Sequence, residues 1–361
     1  MNDNPPFAAE EVAVHLLAWY GHCGRDLPWR RTRDPYCIWL SEIMLQQTGV
    51  TTVIPYYERF LQRFANVSAL AAASVDEVIE LWAGLGYYSR ARNLYEAACR
   101  VVAERGGRFP DDLQGLMALP GVGRSTAGAI LSIAFDKKAP ILDGNVRRVL
   151  IRLYAIDEPP RATAVEKILW QRAEELTSAE RPHDYAQAIM DLGATVCTPR
   201  NPDCSVCPLV GLCQAYCLGM VEKLPRRQPR KSVPLVRQVA LLLERNGEFL
   251  VSKRPLQGML AGLWEFPCRE FKEGREADAV AAELLAGLAL SGQLVELGQV
   301  RHAYSHFRLE VAVYRVAVEG GLPDGLVSEG QPEVWLPMAE LAELALHGAH
   351  KKVRALLASP E

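Results

Sequence analysis

Four cysteines within seventeen residues, Cys197, Cys204, Cys207 and Cys213, are the densest concentration of chemistry in this 361-residue chain. Their spacing, C-x6-C-x2-C-x5-C, lets one short loop wrap four thiolates round a single compact centre. A zinc ribbon instead brings two separated C-x2-C knuckles together. The pattern therefore favours one [4Fe–4S] cluster over zinc. Cys217 lies outside it, and Cys23, Cys37, Cys99 and Cys268 are scattered as small buried hydrophobes would be. A clustered set in a chain without a signal-peptide pattern points to metal rather than disulfides.

A second pattern, LPGVGRSTAG, starts at Leu119. Gly121 and Gly123 allow close backbone approach, and the free N–H groups of a helix beginning near Ser125 favour an anion such as a DNA phosphate. A helix–helix connector that uses glycine for turn geometry alone fits these residues equally well. Asp143, in ILDGNVRR, stands where an N-cap would be, because Val146, Val149, Leu150 and Leu153 follow at helical spacing. A helix start also keeps a carboxylate ionised, so a capping role and a chemical role are compatible. Glu42 sits in mid-helix among Trp39, Ile43 and Leu45, where burial would raise its carboxyl pKa.

These residues need helices to hold them. Residues 8–20 carry apolar positions at helical spacing with acids in the first turn. Asp34 and Pro35 read as the N-cap and first residue of the helix that bears Glu42. Ser74 with Glu77, and Thr163 with Glu166, have the spacing of capping boxes. Tyr87, Tyr88, Arg90 and Arg92 gather at a helix boundary, where a half-buried aromatic pair beside a solvated arginine face is the common arrangement. A last helix, DYAQAIMDLGATVC, runs into the cysteines. Residues 1–222 thus read as one all-α domain containing the 197–213 metal loop, and 223–236 as a basic linker. Beyond the linker the hydrophobic period changes to two, with Asn246-Gly247 marking a hairpin, so 237–361 reads as a separate α+β domain.

Hydrophobic content of 49% and charged content of 23% describe a globular protein, and no apolar run reaches membrane-spanning length. The cytoplasm is the expected compartment. A net charge of −3 gives no bulk support for nucleic-acid binding, although Lys223 to Arg237 holds six basic residues and no acidic one.

Taken together, LPGVGRSTAG, LDGNV and the four-cysteine loop resemble the helix-hairpin-helix DNA glycosylase superfamily. SEIMLQQT, GLGYYSRARNL and the second domain are similar to its adenine-specific branch, and the likeness covers nearly the whole chain. The endonuclease III branch shares the hairpin, the aspartate and the cluster, but has a lysine after GVGR that forms a Schiff base and cleaves the strand. Here that position is Ser125. Glu42 and the second domain are further departures from that branch.

The resemblance implies a monofunctional base-excision enzyme that removes adenine mispaired with 8-oxoguanine or guanine and leaves an abasic site. It implies that Glu42 protonates adenine and then activates water, and that Asp143 stabilises or traps the oxocarbenium-like sugar, with Asn145 positioning the water or the sugar phosphate. Leu27, Trp29 and Arg30 are expected in the pocket for the flipped base, with Gln187 reading its edge. Gln46 and Thr48 are expected to face the opposite base, and Tyr87 to wedge into the stack. The second domain resembles a MutT-like (Nudix) fold without the paired glutamates of a working hydrolase. Tyr304, Ser305 and His306 match a Phe-Ser-His loop that inspects 8-oxoguanine. The implied partner is double-stranded DNA bound by a monomer, with no membrane. A non-catalytic mismatch binder is the rival of another class, and the pairing of Glu42 with Asp143 speaks against it.

Overall fold

A computed structural model describes residues 7–160, 162–226, 233–255, 258–304, 306–318 and 333–358. Ser305 and residues 227–232 of the basic stretch lie outside the described residues. The chain divides into two compact units, Met1–Ser74 with Arg90–Pro229, and Val75–Ser89 with Arg230–Glu361. Among the described residues no helix is long and apolar enough to cross a membrane.

The helices in order are α1 (Ala9–Cys23), α2 (Pro35–Leu45), α3 (Val50–Arg63), α4 (Val67–Ala71), α5 (Val75–Trp82), α6 (Ser89–Arg105), α7 (Leu113–Met117), α8 (Arg124–Phe135), α9 (Gly144–Leu153), α10 (Thr163–Leu176), α11 (Pro182–Asp191) and α12 (Gln214–Cys217). All but α5 belong to the first unit. Asp34 caps α2 by accepting the Tyr36 N–H at 2.9 Å, with Pro35 at the first helical position as expected. Seven of the eleven α2 residues are buried, so this helix is apolar on every side and must run through the interior. It packs on α8, which packs on α11, which packs on α1. The core joins Val12, Leu16, Ile38, Ile133, Val149, Leu150, Leu169, Tyr185 and Ile189. Thr163 and Glu166 form no capping box. Ala162 is the N-cap of α10 without a side-chain bond, and Glu166 is drawn instead to Arg147 at 2.6 and 2.9 Å. A bidentate guanidinium is the stronger partner.

In the second unit, β1 (Leu235–Arg245), β2 (Glu248–Lys253), β3 (Trp264–Glu265), β4 (Cys268–Phe271), β5 (Val295–Ala303), β6 (Arg308–Ala317) and β7 (Glu333–Pro337) form one mixed sheet. Its main path is β3-β2-β1-β6-β5, with β1 parallel to β6 and the other named pairs antiparallel. Asn246 and Gly247, with φ of 51° and 80°, turn the β1–β2 hairpin. The centre of β1 is a continuous apolar run because both faces are covered. Ala240 and Leu242 face a core that includes Ala349 and Val353 of α15 (Gly348–Ala355), beyond α14 (Met338–Glu343). Val239, Leu241 and Leu243 face Val280, Leu284 and Leu285 of α13 (Ala277–Gly287). The fold is thus a helical domain followed by a Nudix-like α/β domain.

Candidate active site

A cavity of about 500 Å³ opens within the helical unit among α2, α8, α11 and the start of α9. Ten residues expected from the sequence line it: Leu27, Trp29, Arg30, Glu42, Gln46, Thr48, Ser125, Asp143, Asn145 and Gln187. Among the described residues of the helical unit, Gly121 and Gly123 are not among its walls.

Glu42 projects from the buried helix α2 and has no hydrogen-bond partner among the described residues. Desolvation, reinforced by the charge of Asp143 and only partly opposed by Arg30, pushes its pKa up to about 7. A carboxyl at that value carries a proton at neutral pH for much of the time, as a general acid requires.

Asp143 is the N-cap of α9. Its Oδ1 accepts the Val146 N–H at 2.7 Å, and its Oδ2 accepts from Asn145 Nδ2 at 3.2 Å. Burial moves its pKa upward, against the pull of those donors and of Arg148. The helix-start donors favour the anion, but desolvation outweighs them. Arg148 extends the brace. It donates to Asn145 Oδ1 at 2.9 Å, to the Gly193 carbonyl at 2.6 Å and, through Nε, to the Cys197 carbonyl at 2.7 Å. Gly193 permits this approach, because an added Cβ would stand 2.7 Å from that of Asn145.

Arg30 reaches the cavity wall on a buried support that residue patterns left unnoticed. Asp191 is fully buried and accepts from both Arg30 terminal nitrogens at 2.6 and 2.7 Å, and from Arg25 Nε at 2.7 Å. Burial raises the Asp191 pKa, but Arg30 and Arg25 more than offset this and hold it below the usual range. Gln187 and Asp191 are four residues apart on α11. A polar stripe on an otherwise apolar helix was the available signal.

The turn after α2 is pinned by Arg90, which is buried rather than on the solvated face common at such a boundary. It donates to the carbonyls of Met44 at 2.7 Å and Gln46 at 2.6 Å and to Thr48 Oγ1 at 3.0 Å, so it caps the C-terminus of the Glu42 helix. Gln46 Nε2 donates to the Gly121 carbonyl at 3.3 Å. Gly121 has φ of 78°, which a side chain would strain, and exposed Gly123 caps α8 without a side-chain bond, leaving N–H groups free. Ser125 Oγ accepts the Leu142 N–H at 3.0 Å, tying α8 to the strand-like approach to Asp143.

In the second unit, Tyr87 is exposed and holds a left-handed φ of 48°, a strained conformation for an aromatic residue. His306 is exposed. Tyr304 is half-buried, stacks on Phe307 with centroids 4.7 Å apart, and shares a 2.9 Å hydrogen bond between its hydroxyl and His347 Nδ1.

The four cysteines of the metal loop line one small cavity of about 30 Å³, and exposed Cys217 is outside it. Among the described residues the only group of three metal-ligand atoms within 4.8 Å is Glu265, His347 and His350, so these sulfurs do not converge that tightly. Thiolates around one zinc ion, at about 2.3 Å from the metal, would crowd closer than this, whereas an iron–sulfur core holds its ligands further apart. Burial, with the neighbouring cysteines adding to it, pushes the Cys207 thiol up to about 12, so a thiolate there calls for a cationic core. Buried Arg152 clamps the loop, with Nη1 at 3.3 Å from Cys197 Sγ and 2.8 Å from the Thr198 carbonyl.

Residues 40–175 match the HhH-GPD superfamily of base excision DNA repair proteins, residues 197–213 the iron-sulfur binding domain of endonuclease III, and residues 238–356 the NUDIX domain. The chain is 41% identical to the adenine DNA glycosylase of Homo sapiens, over 94% of this chain and 72% of that protein. It is 40% identical to the adenine DNA glycosylase of Mus musculus, over 94% and 76%. A solved thermostable thymine-DNA glycosylase is similar at a TM-score of 0.52 and 32% identity, covering 57% of this chain and 97% of its own. One scaffold thus serves enzymes named for different bases. By its likeness along nearly the whole length and its four-cysteine [4Fe–4S] loop, this chain belongs to the adenine DNA glycosylase family, enzymes that hydrolyse an N-glycosidic bond in DNA repair.

Proposed function

We propose that this glycosylase removes adenine mispaired with 8-oxoguanine or guanine in double-stranded DNA, acting as a monomer and leaving an abasic site without cutting the strand. The observation that supports it most is that Glu42 and Asp143 line one cavity, Glu42 without a donor and Asp143 with two. Glu42 has no donor and a pKa of about 7, so it delivers a proton to the leaving base and afterwards takes one from water. Asp143 is held by a backbone N–H and by Asn145, and meets the developing cationic sugar as an anion, electrostatically or by a covalent bond. This is the division of labour between two carboxylates familiar from glycosidases. Asn145 positions the water or the sugar phosphate.

The flipped adenine lies against Leu27, Trp29 and Arg30 in this reading. Extrusion costs a few kcal/mol and least for a mispaired base. Gln46 and Thr48 face the opposite base, and Gly121 and Gly123 present N–H groups to a phosphate. Tyr87 wedges beside 8-oxoguanine, a role suited to an exposed ring on a strained backbone. Tyr304, Ser305 and His306 inspect the damaged partner. Ser125 cannot form a Schiff base, which supports base removal without strand cleavage. The cluster, when bound, supplies a cationic core that holds the 197–213 loop closed. Work on chromosomal DNA in the cytoplasm suits a chain whose clustered cysteines hold a metal centre rather than disulfides.

The test is a duplex carrying adenine opposite 8-oxoguanine, with released adenine measured before and after alkali reveals abasic sites. Adenine release with nicking only after alkali is expected. No release would refute the reading, and nicking without alkali would favour a lyase.

A further inference from the structure

We propose that His183 is a positioning residue: it fixes which way the Gln187 amide faces, and so selects a purine carrying an exocyclic amine at C6 over one carrying a carbonyl. This rests on the adenine-release reading above. His183, Gln187 and Asp191 share one face of α11 at four-residue spacing. His183 Nδ1 lies 2.7 Å from the Ile133 carbonyl oxygen. A carbonyl can only accept, so the ring proton sits on Nδ1. With its proton there the ring offers a lone pair at Nε2, and Gln187 Nε2 lies 2.8 Å from it. The same amide nitrogen donates to the His183 backbone carbonyl at 3.3 Å. Both contacts demand hydrogen on this side of the amide. The flipped amide would set its oxygen against a lone pair and a carbonyl oxygen together.

The Gln187 oxygen is therefore turned the other way. Gln187 lines the cavity and is 2% exposed, and its Oε1 is buried without a hydrogen-bond partner. A buried acceptor left unpaired is destabilising until a donor arrives. Adenine offers one in its 6-amino group. Guanine and hypoxanthine present a carbonyl oxygen at that position, which would confront the amide oxygen and leave both unsatisfied. A site built round one hydrogen bond rejects the analogue that lacks it far more strongly than shape alone can. The preference thus depends on a ring whose own proton is dictated by a carbonyl on α8.

The experiment compares single-turnover release of adenine and of hypoxanthine placed opposite 8-oxoguanine, in the parent protein, His183→Leu, and His183→Leu with Gln187→Glu. The adenine-to-hypoxanthine rate ratio should fall by about 10-fold or more in His183→Leu, where the amide can flip. Adding Gln187→Glu should restore it, because a carboxylate presents an acceptor in either orientation. Each ratio is taken within one preparation, so a reduced folded fraction does not move it, and His183→Phe serves if the leucine variant does not fold. Equal slowing on both bases, or no recovery in the double variant, would overturn the role of His183. A parent protein that releases no adenine fails the functional reading itself, before any variant is compared.

Discussion

Glu42 and Glu265 are both enclosed glutamates, one in each unit, and their surroundings drive them in opposite directions. Glu265, on β3, is salt-bridged to Arg254 at 2.6 Å, and His347 Nε2 stands 3.5 Å away. Burial raises its pKa, but His347 and Arg254 more than offset the rise and hold it below the ordinary range. Glu42 has burial and no donor, and a second carboxylate nearby, so it rises to about 7. The sheet unit satisfies its buried acid with Arg254 and His347; the helical unit leaves its acid without a donor on a cavity, protonated for much of the time near neutral pH. A local rule broken at a cavity marks the place of chemistry.

The largest effect should come from breaking the Glu42 side of this contrast. Glu42→Gln should slow adenine release by at least ~100-fold, the scale of a lost general acid, while affinity for the mispaired duplex stays within a few-fold. An equal loss of binding would reassign Glu42 to structure. Release by the parent should decline as pH rises through about 7, where Glu42 loses its proton. Because its folded pKa lies above the unfolded value, its favourable contribution to stability is complete in acid and is lost as pH rises through the folded value. Glu42→Gln should thus gain stability over the parent between pH 5 and pH 8 in denaturant titrations. A constant difference across that range would contradict the unpaired, desolvated carboxyl.

Asp191 extends the satisfied kind of acid into the helical unit. Asp191→Asn strands Arg25 and Arg30 beside a neutral group, and loss of one partner from a buried ionic cluster costs roughly 3–5 kcal/mol. Urea unfolding checks this, and a change under 1 kcal/mol would mean the arginines find other partners. Glu265→Gln should cost less, ~1–3 kcal/mol at pH 7. Its pKa is depressed, so its contribution is present above the unfolded value and disappears as pH falls through the folded value. The penalty should therefore shrink in acid, opposite to the Glu42 variant, and base release from an A:G mispair should stay near the parent rate. The smallest effect is expected from Tyr304→Phe. It removes the bond to His347 and should lower the preference for 8-oxoguanine over guanine only a few-fold, and equal parent rates on the two duplexes would remove the loop's proposed role.

Legibility in the sequence followed the range of the interaction. The Asp34 cap, the Asn246-Gly247 turn and the Asp143 cap were readable because each depends on residues within three positions. The apolar setting of Glu42 was readable because a helix buried on every side writes its burial into its own neighbours. The burial of Arg90 was not legible, since its partners are the carbonyls of a turn more than forty residues away. Glu166 likewise left its helix start for Arg147. Asp191 went unnoticed because an aspartate in mid-helix looks solvated until the arginines that surround it are known.

The chain by itself marked the four-cysteine loop, the glycine turn at α8 and the Asp143 cap, because cysteine spacing, positive φ and helix capping are short-range physics. Only the tertiary structure decided that Glu42 and Asp143 share one cavity, that Arg30 stands on buried Asp191, and that the Gln187 amide nitrogen meets the His183 ring. Those outcomes rest on desolvation and on donors supplied by distant carbonyls, which exist only once the helices have packed.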